Sequence, residues 1–388
     1  MRLKICVLTA ARSEYGLLRP LLHLIQNDQE LELQLICIGA HLSLDFGKTE
    51  SEITADGIAI TRRIETLLSS ETQVGIAKSL GLTIIGCAEA FAELMPDLLI
   101  VLGDRAELVP VVQAARLAHV PVAHLSGGEK TEGSLDECFR HAVTKLANIH
   151  FTALPEYTKR LLQLGESPHS VYEVGELGLD NIKLIERLPR ERLETELGLK
   201  FLSQNLLVSF HPETTRSLED NLTSLGCLLE CLDQLTNTLV IATGANSDYG
   251  GKEFNNALRG FCDKSAMTRY FFPSLGTRLY YSCVDQADAV VGNSSSGVVE
   301  VPSFGVPSLN IGDRQKGRVM AKSTLSVAAT VDQIDYGLKV VTSEEFRLAS
   351  RSVDNPYHKE NCAERMLEII KGLDFAALSN KEFRDVQF

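Results

Sequence analysis

Short unbroken apolar runs recur along the chain: "LKICVLTA", "ELQLICIG", "DLLIVLG", "VPVAHLSG" and "NIHFTAL". A strand with no polar face has both faces buried, which happens when a parallel sheet is covered by helices on both sides. The segments between the runs, such as "EYGLLRPLLHLIQND" and "AELVPVVQAARLA", carry helical periodicity. The plan then repeats, with "NLLVSFHP", "NTLVIATG", "RYFFPS", "DAVVGNS" and "VPSLNIG". With 388 residues to house, this predicts an α/β chain of two Rossmann-like, doubly wound domains facing a cleft. No close sequence repeat relates the halves. The charged stretch "IERLPRERLETELGLK" marks the break. The expected division is 1–180 and 181–357, with the helix in 358–388 returning to the first domain.

Composition narrows the partners. A net charge of −13 argues against general nucleic-acid or anionic-membrane binding, since both need a basic face. Nine cysteines are scattered and form no CxxC pair; Cys227 and Cys231, one helical turn apart, read as reduced core thiols. No HxxxH or clustered Cys/His set suggests a metal. The start "MRLKICVLTA" is too short an apolar run for a signal peptide, and no stretch of about 18 apolar residues reads as a span. A cytoplasmic protein without metal or cofactor is expected.

In doubly wound sheets ligands sit beyond the carboxyl ends of the strands. After the first run, Arg12 and Ser13 stand where a helix should begin, a candidate anion site; a solvent-facing arginine is the plainer alternative. After "DLLIVLG" comes Asp104, either an active-site acid or a helix N-cap. "GGEKTEGSLDECFRH" follows the next run and is dense in acids. A helix starting near Ser134 would set Asp136 and Arg140 on one face. Glu132 and Glu137 read better as surface ion-pair partners. His211 lies just past another run. Asn293, Ser294, Ser295 and Ser296 form a hydroxyl-rich turn suited to a diphosphate, and Glu300 stands one turn on, able to take ribose hydroxyls. Arg314 follows on "GDRQKGR", and Asn246 and Asp248, just past "NTLVIATG", count with the ligand-binding candidates. The absence of GxGxxG and GxxxxGK[ST] removes the main support for NAD or P-loop readings.

Taken together, "RSEYGLLRPLL", "VLGDRAE", "GGEKTEGSLDECFRHAVTKLANIHFT", "FHPET", "GNSSSGVVEVPSFGVPSLNIGDRQKGR" and "NPY" resemble the hydrolysing UDP-N-acetylglucosamine 2-epimerases of sialic-acid biosynthesis. The resemblance runs nearly end to end and implies the glycosyltransferase-B architecture. A sister group acting on UDP-N,N′-diacetylbacillosamine shares most of these motifs, and nothing read here separates the two sugars. By resemblance, Asp104, Glu129 and Asp136 fall on active-site acids and His211 on a histidine near the diphosphate. Ser294, Ser295 and Glu300 fall on the nucleotide site, and Arg12 and Arg314 on phosphate-side arginines. Where some members carry a glutamate this chain has Ser126, which shifts more of the acid–base work to Glu129. The implied reaction is elimination of UDP to a 2-acetamidoglucal, then hydration to a manno sugar, with UDP-N-acetylglucosamine to N-acetylmannosamine as the first expectation and UDP-N,N′-diacetylbacillosamine to 2,4-diacetamido-2,4,6-trideoxymannose as the alternative. A homodimer or homotetramer is implied likewise. A glycosyltransferase of the same architecture would need an acceptor, and a non-catalytic nucleotide-sugar sensor would not need three acids facing a sugar.

Overall fold

The computed structural model describes residues 2–44, 48–70, 72–245, 250–375, 377–379 and 381–386. Contacts divide the chain into two compact units. The first comprises residues 1–129, 136–184 and 359–388, and the second 130–135 and 185–358.

In the first unit the strands are β1 (Leu3–Thr9), β2 (Leu31–Ile38), β3 (Ile60–Ile64), β4 (Leu98–Leu102), β5 (Val122–Leu125), β6 (Ile149–Thr152) and β7 (Val171–Glu173). They pair in the order β3-β2-β1-β4-β5-β6-β7, all parallel. The unbroken apolar runs are explained by alternation across two cores. Along β1, Ile5 and Val7 enter one hydrophobic cluster while Cys6 and Leu8 enter another on the opposite face. β4 divides likewise, Leu98, Ile100 and Leu102 against Leu99 and Val101. The C-terminal helix Cys362–Lys371 lays Cys362, Ala363, Met366 and Ile370 into the first of these cores. Its first turn is tied down by Asp180, which accepts the Ala363 N–H at 2.8 Å.

The second unit holds β8 (Gln204–Ser209), β9 (Thr238–Thr243), β10 (Arg269–Phe272), β11 (Ala289–Gly292), β12 (Ser308–Ile311) and β13 (Thr324–Val327). Their order is β10-β9-β8-β11-β12-β13, again parallel throughout. Both sheets therefore reverse strand order once, between β1 and β4 and between β8 and β11. Those reversal points are where loops diverge and leave room for a ligand.

The helix Gln73–Leu94 is long and apolar enough to cross a membrane by length and composition alone, with an 18-residue window of mean hydropathy 1.4, of which 33% is buried. Its inner side packs Cys87, Ala90 and Phe91 into the first unit's core. Among the described cysteines no disulfide forms; Cys231 is buried, and burial lifts its thiol pKa to about 11.

Candidate active site

In the first unit the site grows from the ends of β4 and β5. Gly103, at a φ of +90°, turns the chain out of β4, and Asp104 follows. Asp104 is not a helix N-cap: the next helix starts at Leu108 with Glu107 at its N-cap position. Instead its carboxylate accepts from Arg140, whose guanidinium is 1% exposed. Arg140 also donates to Glu137 at 2.6 Å and to the backbone carbonyl of Glu129 at 3.0 Å. One buried cation thus ties together three segments, because a guanidinium away from water needs its donors satisfied in several directions.

The helix bearing Arg140 begins at Asp136, two residues later than Ser134. Asp136 opens its first turn, the favourable position for an acid. Glu137 is not the surface residue expected: it shares Arg140 and also lies 3.2 Å from His141 Nε2. Glu132 does behave as a surface partner, paired with Lys130 at 2.6 Å. Glu129 itself is 3% exposed. The turn leading to it needs unusual backbone, with Ser126 at a φ of +63° and Gly128 at +79°. A Cβ on Gly128 would stand 2.4 Å from the Tyr157 carbonyl oxygen, so only glycine fits there. Below the turn, His124 donates from Nε2 to the Gly103 carbonyl at 2.7 Å and sits 3.1 Å from the Thr144 hydroxyl. Burial drives its pKa down to about 3, so it is a neutral strut between the two strand ends.

At the end of β1, Arg12 opens the helix Arg12–Asn27, partly exposed, with Glu52 at 3.9 Å. The anion site at this helix start is partly filled from within: Glu14 accepts the Ala10 N–H at 2.8 Å. Burial raises the Glu14 pKa to about 7, against the opposing pull of Arg105 at 3.4 Å.

In the second unit, His211, Asn293, Ser294, Ser296 and Arg314 come together beyond β8, β11 and β12. The His211 backbone N–H donates to Asn293 Oδ1 at 2.7 Å and Asn293 Nδ2 returns a bond to the His211 carbonyl at 2.8 Å. Arg314 and Gln315 both donate to the Asn293 carbonyl, at 3.2 and 2.9 Å. Burial first, and then Arg314, lowers the His211 pKa to about 3, which keeps its imidazole neutral near pH 7. The cation of this cluster is therefore Arg314. Ser294 caps a helix of only five residues, Ser295–Val299, so the dipole contributes little and the hydroxyls and Arg314 carry more of any anion binding. Glu300 stands at that helix's C-cap and accepts from the Tyr281 hydroxyl; burial raises its pKa. Asn246 and Asp248 lie outside the described residues.

The stretch 130–135 packs with the second unit. Glu132 N–H donates to the Lys316 carbonyl at 3.0 Å, Leu135 N–H to Thr214 at 3.0 Å, and Thr215 to the Gly133 carbonyl at 3.0 Å. Gly133 is pressed so close that a Cβ would meet the Asp313 carbonyl at 2.6 Å. The sequence reading also passed over Glu213, which is 5% exposed and accepts the Asp313 N–H at 3.0 Å, fixing the loop that bears Arg314. Nothing in the local pattern of "FHPET" separates that glutamate from a solvated one. No group of described residues has the makeup of a metal site.

Comparison with known proteins decides the family. The model described as UDP-N-acetylglucosamine 2-epimerase matches residues 23–371. The chain belongs to the UDP-N-acetylglucosamine 2-epimerase family. As an epimerase it is 39% identical, over 89% of its length and 88% of the relative's, to the GDP/UDP-N,N′-diacetylbacillosamine 2-epimerase (hydrolyzing) of Campylobacter jejuni. It is 35% identical, over 98% and 96%, to polysialic acid biosynthesis protein P7 of Escherichia coli. The fold of the epimerase matches that of the Neisseria meningitidis UDP-GlcNAc 2-epimerase crystallised with UDP-GlcNAc, with a TM-score of 0.80, 15% identity, and coverage of 95% and 100%.

Proposed function

We propose that the enzyme is a hydrolysing 2-epimerase of a UDP-linked 2-acetamido sugar, and that this sugar is N,N′-diacetylbacillosamine, giving UDP and free 2,4-diacetamido-2,4,6-trideoxymannose. The observation that carries the reaction type is Arg140, bonded at once to Asp104, Glu137 and the Glu129 carbonyl. That arrangement concentrates carboxylates at the strand ends of one unit, while the other presents Arg314, neutral His211 and the serine turn.

The C2 proton of the sugar is not acidic until the C1–oxygen bond begins to break. In this reading Arg314, His211, Ser294 and Ser295 hold the departing diphosphate, with Arg12 on the phosphate side, and Glu300 takes ribose hydroxyls. One carboxylate among Asp104, Glu129 and Asp136 accepts the C2 proton. The electron pair of the C2–H bond becomes the C1–C2 double bond, and the pair of the C1–O bond leaves with UDP. Water then adds its hydroxyl to C1, its other proton passing to a carboxylate, and a carboxylic acid returns a proton to the opposite face of C2.

The choice of bacillosamine rests on the Campylobacter jejuni relative, a GDP/UDP-N,N′-diacetylbacillosamine 2-epimerase (hydrolyzing) 39% identical to this chain. A second reading, UDP-N-acetylglucosamine to N-acetylmannosamine, is favoured by the polysialic acid relative, which covers 98% of the chain. Kinetics with UDP-N,N′-diacetylbacillosamine, its GDP counterpart and UDP-N-acetylglucosamine side by side test the assignment. The bacillosamine nucleotide should have the highest kcat/KM, and in D2O the product should carry one non-exchanging deuterium at C2. A preference for UDP-N-acetylglucosamine reassigns the sugar. Retention of the original C2 hydrogen, or turnover only with a sugar acceptor, removes the proposed reaction.

A further inference from the structure

Glu166 is 1% exposed and takes no part in the proposed chemistry. His150 donates to it from Nε2 at 2.9 Å, Lys145 at 2.7 Å and Lys381 at 2.6 Å. Burial alone would raise its pKa, but these donors outweigh burial and bring it down to about 2. Two lysines therefore surround one buried anion. Lys381 comes from far along the chain. Its stretch, residues 377–379 and 381–386, follows the helix Cys362–Lys371 and is laid against the first unit. Asn148 donates to the Leu378 carbonyl at 2.5 Å, and Arg384 to the Glu166 carbonyl at 3.0 Å.

Glu166 does not by itself account for where Lys381 points. The ammonium also donates to the carbonyls of Thr144 at 3.0 Å and Ala147 at 2.6 Å, at the end of the helix Asp136–Leu146. The last carbonyls of a helix lack intrahelical donors, and a cation there also meets the negative pole of the dipole. This is the helix that carries Asp136 and Arg140 nearer its start. Thr144 lies one turn beyond Arg140 and makes a second link. Its hydroxyl donates to Nδ1 of the neutral His124 at 3.1 Å, and His124 Nε2 donates to the Gly103 carbonyl at 2.7 Å, next to Asp104. We infer that Lys381 is a positioning residue for the proposed reaction. By capping Asp136–Leu146 it keeps Arg140 and, through Thr144 and His124, the Gly103–Asp104 turn in register with each other. The inference rests on the reading of Asp104, Glu129 and Asp136 as the acids of that reaction. Losing Lys381 leaves Glu166 still paired with His150 and Lys145, so the fold keeps no orphaned charge, while the helix end loses its donor. Lys145 is the natural control: it shares Glu166 but bonds the Leu164 carbonyl at 3.0 Å instead of the end of its own helix.

Steady-state turnover and UDP calorimetry on the full chain test this, with turnover read well below each variant's melting temperature. Lys381→Met should lower kcat by about tenfold or more, the scale of a small displacement of catalytic groups. Its UDP affinity should stay within about threefold of wild type, since the UDP-binding candidates lie in the other unit. Lys145→Met should keep kcat within about twofold, although it removes an equal charge from Glu166. Thr144→Val should lower kcat as well. Combined with Lys381→Met it should be within about twofold of the slower single variant, because both act on one chain of bonds. Should Lys381→Met not fold, the other two single variants decide: Thr144→Val must lower kcat and Lys145→Met must not. Wild-type kcat in Lys381→Met overturns the inference. So does an equal loss in Lys145→Met, a pair of losses that multiply in the double variant, or a loss of UDP affinity as large as the loss of kcat. Asp104→Asn separates the inference from the reading beneath it. Near-normal turnover there removes both, whereas an inactive Asp104→Asn beside a normal Lys381→Met removes the inference alone.

Discussion

Burying a guanidinium costs several kcal/mol unless its donors are met, and Arg140 at 1% exposure meets them with Asp104, Glu137 and the Glu129 carbonyl. A lysine keeps the charge but cannot fork toward three acceptors. Arg140→Lys should therefore lower kcat by about 10–100-fold, the scale set by displacing catalytic groups by an ångström or so. UDP affinity should stay unchanged, and steady-state kinetics with UDP calorimetry separates the two effects. Asp104→Asn, Glu129→Gln and Asp136→Asn should each lower turnover by at least about 10²-fold, as removal of a general acid or base does. A variant with near-normal turnover withdraws that residue from the proposed chemistry. Glu14 supplies a pH prediction. Its folded pKa is raised to about 7 by burial, while an unfolded glutamate titrates near about 4.3. The folded state then holds the proton more tightly, so the contribution is complete below about pH 4.3 and is lost as pH rises through about 7. Glu14→Gln should flatten the fall in melting temperature between roughly pH 4.3 and pH 7 relative to wild type. An identical slope would place the ionisation elsewhere.

At the scale of elements, the glycines of the acid-bearing loop are as constrained as its carboxylates. Gly128→Ala brings a Cβ to 2.4 Å from the Tyr157 carbonyl at a φ of +79°. It should destabilise the protein by roughly 1–3 kcal/mol and reduce activity further by moving Glu129. Denaturant unfolding and kcat together check this, and an alanine variant of wild-type stability would show that the turn relaxes freely. The same element scale explains what the sequence discloses. β1, β4, β5, β8 and β11 were legible because strands inside a parallel sheet are apolar on both faces. β3 ("ITRRI"), β7 ("VYE") and β13 ("TLSV") lie at sheet edges. With only one neighbour they carry polar side chains and lose the signal. Asp104, Glu129 and Asp136 could be picked out from their place after strands. Arg140 was visible only as a helix-face partner of Asp136, since burial by Asp104 from another loop leaves no trace in local spacing. Glu213 left none at all.

For the whole molecule, the two sheets divide the chemistry. The three candidate acids belong to the first unit, whereas His211, Ser294, Ser295, Glu300 and Arg314 belong to the second. Binding of UDP and conversion of the sugar should therefore be separable by mutation. The chain's net charge of −13 opposes any anionic ligand at long range, so affinity for a diphosphate must come from local donors. Within the cluster beyond β8 and β11 the imidazole is neutral, which leaves Arg314 as the charge in contact with the Asn293 turn. Arg314→Ala removes one charge-assisted bond, typically about 1.5–3 kcal/mol. UDP binding should weaken by roughly 10–150-fold on that scale. Asp104→Asn, Glu129→Gln and Asp136→Asn should bind UDP within about threefold of wild type while losing turnover. Isothermal titration with UDP across the four variants reads this directly. If an acid variant loses as much UDP affinity as Arg314→Ala, the carboxylates contact the nucleotide and the proposed partition fails. If Arg314→Ala binds UDP normally, the phosphates are held elsewhere, and Arg12 becomes the arginine to test next.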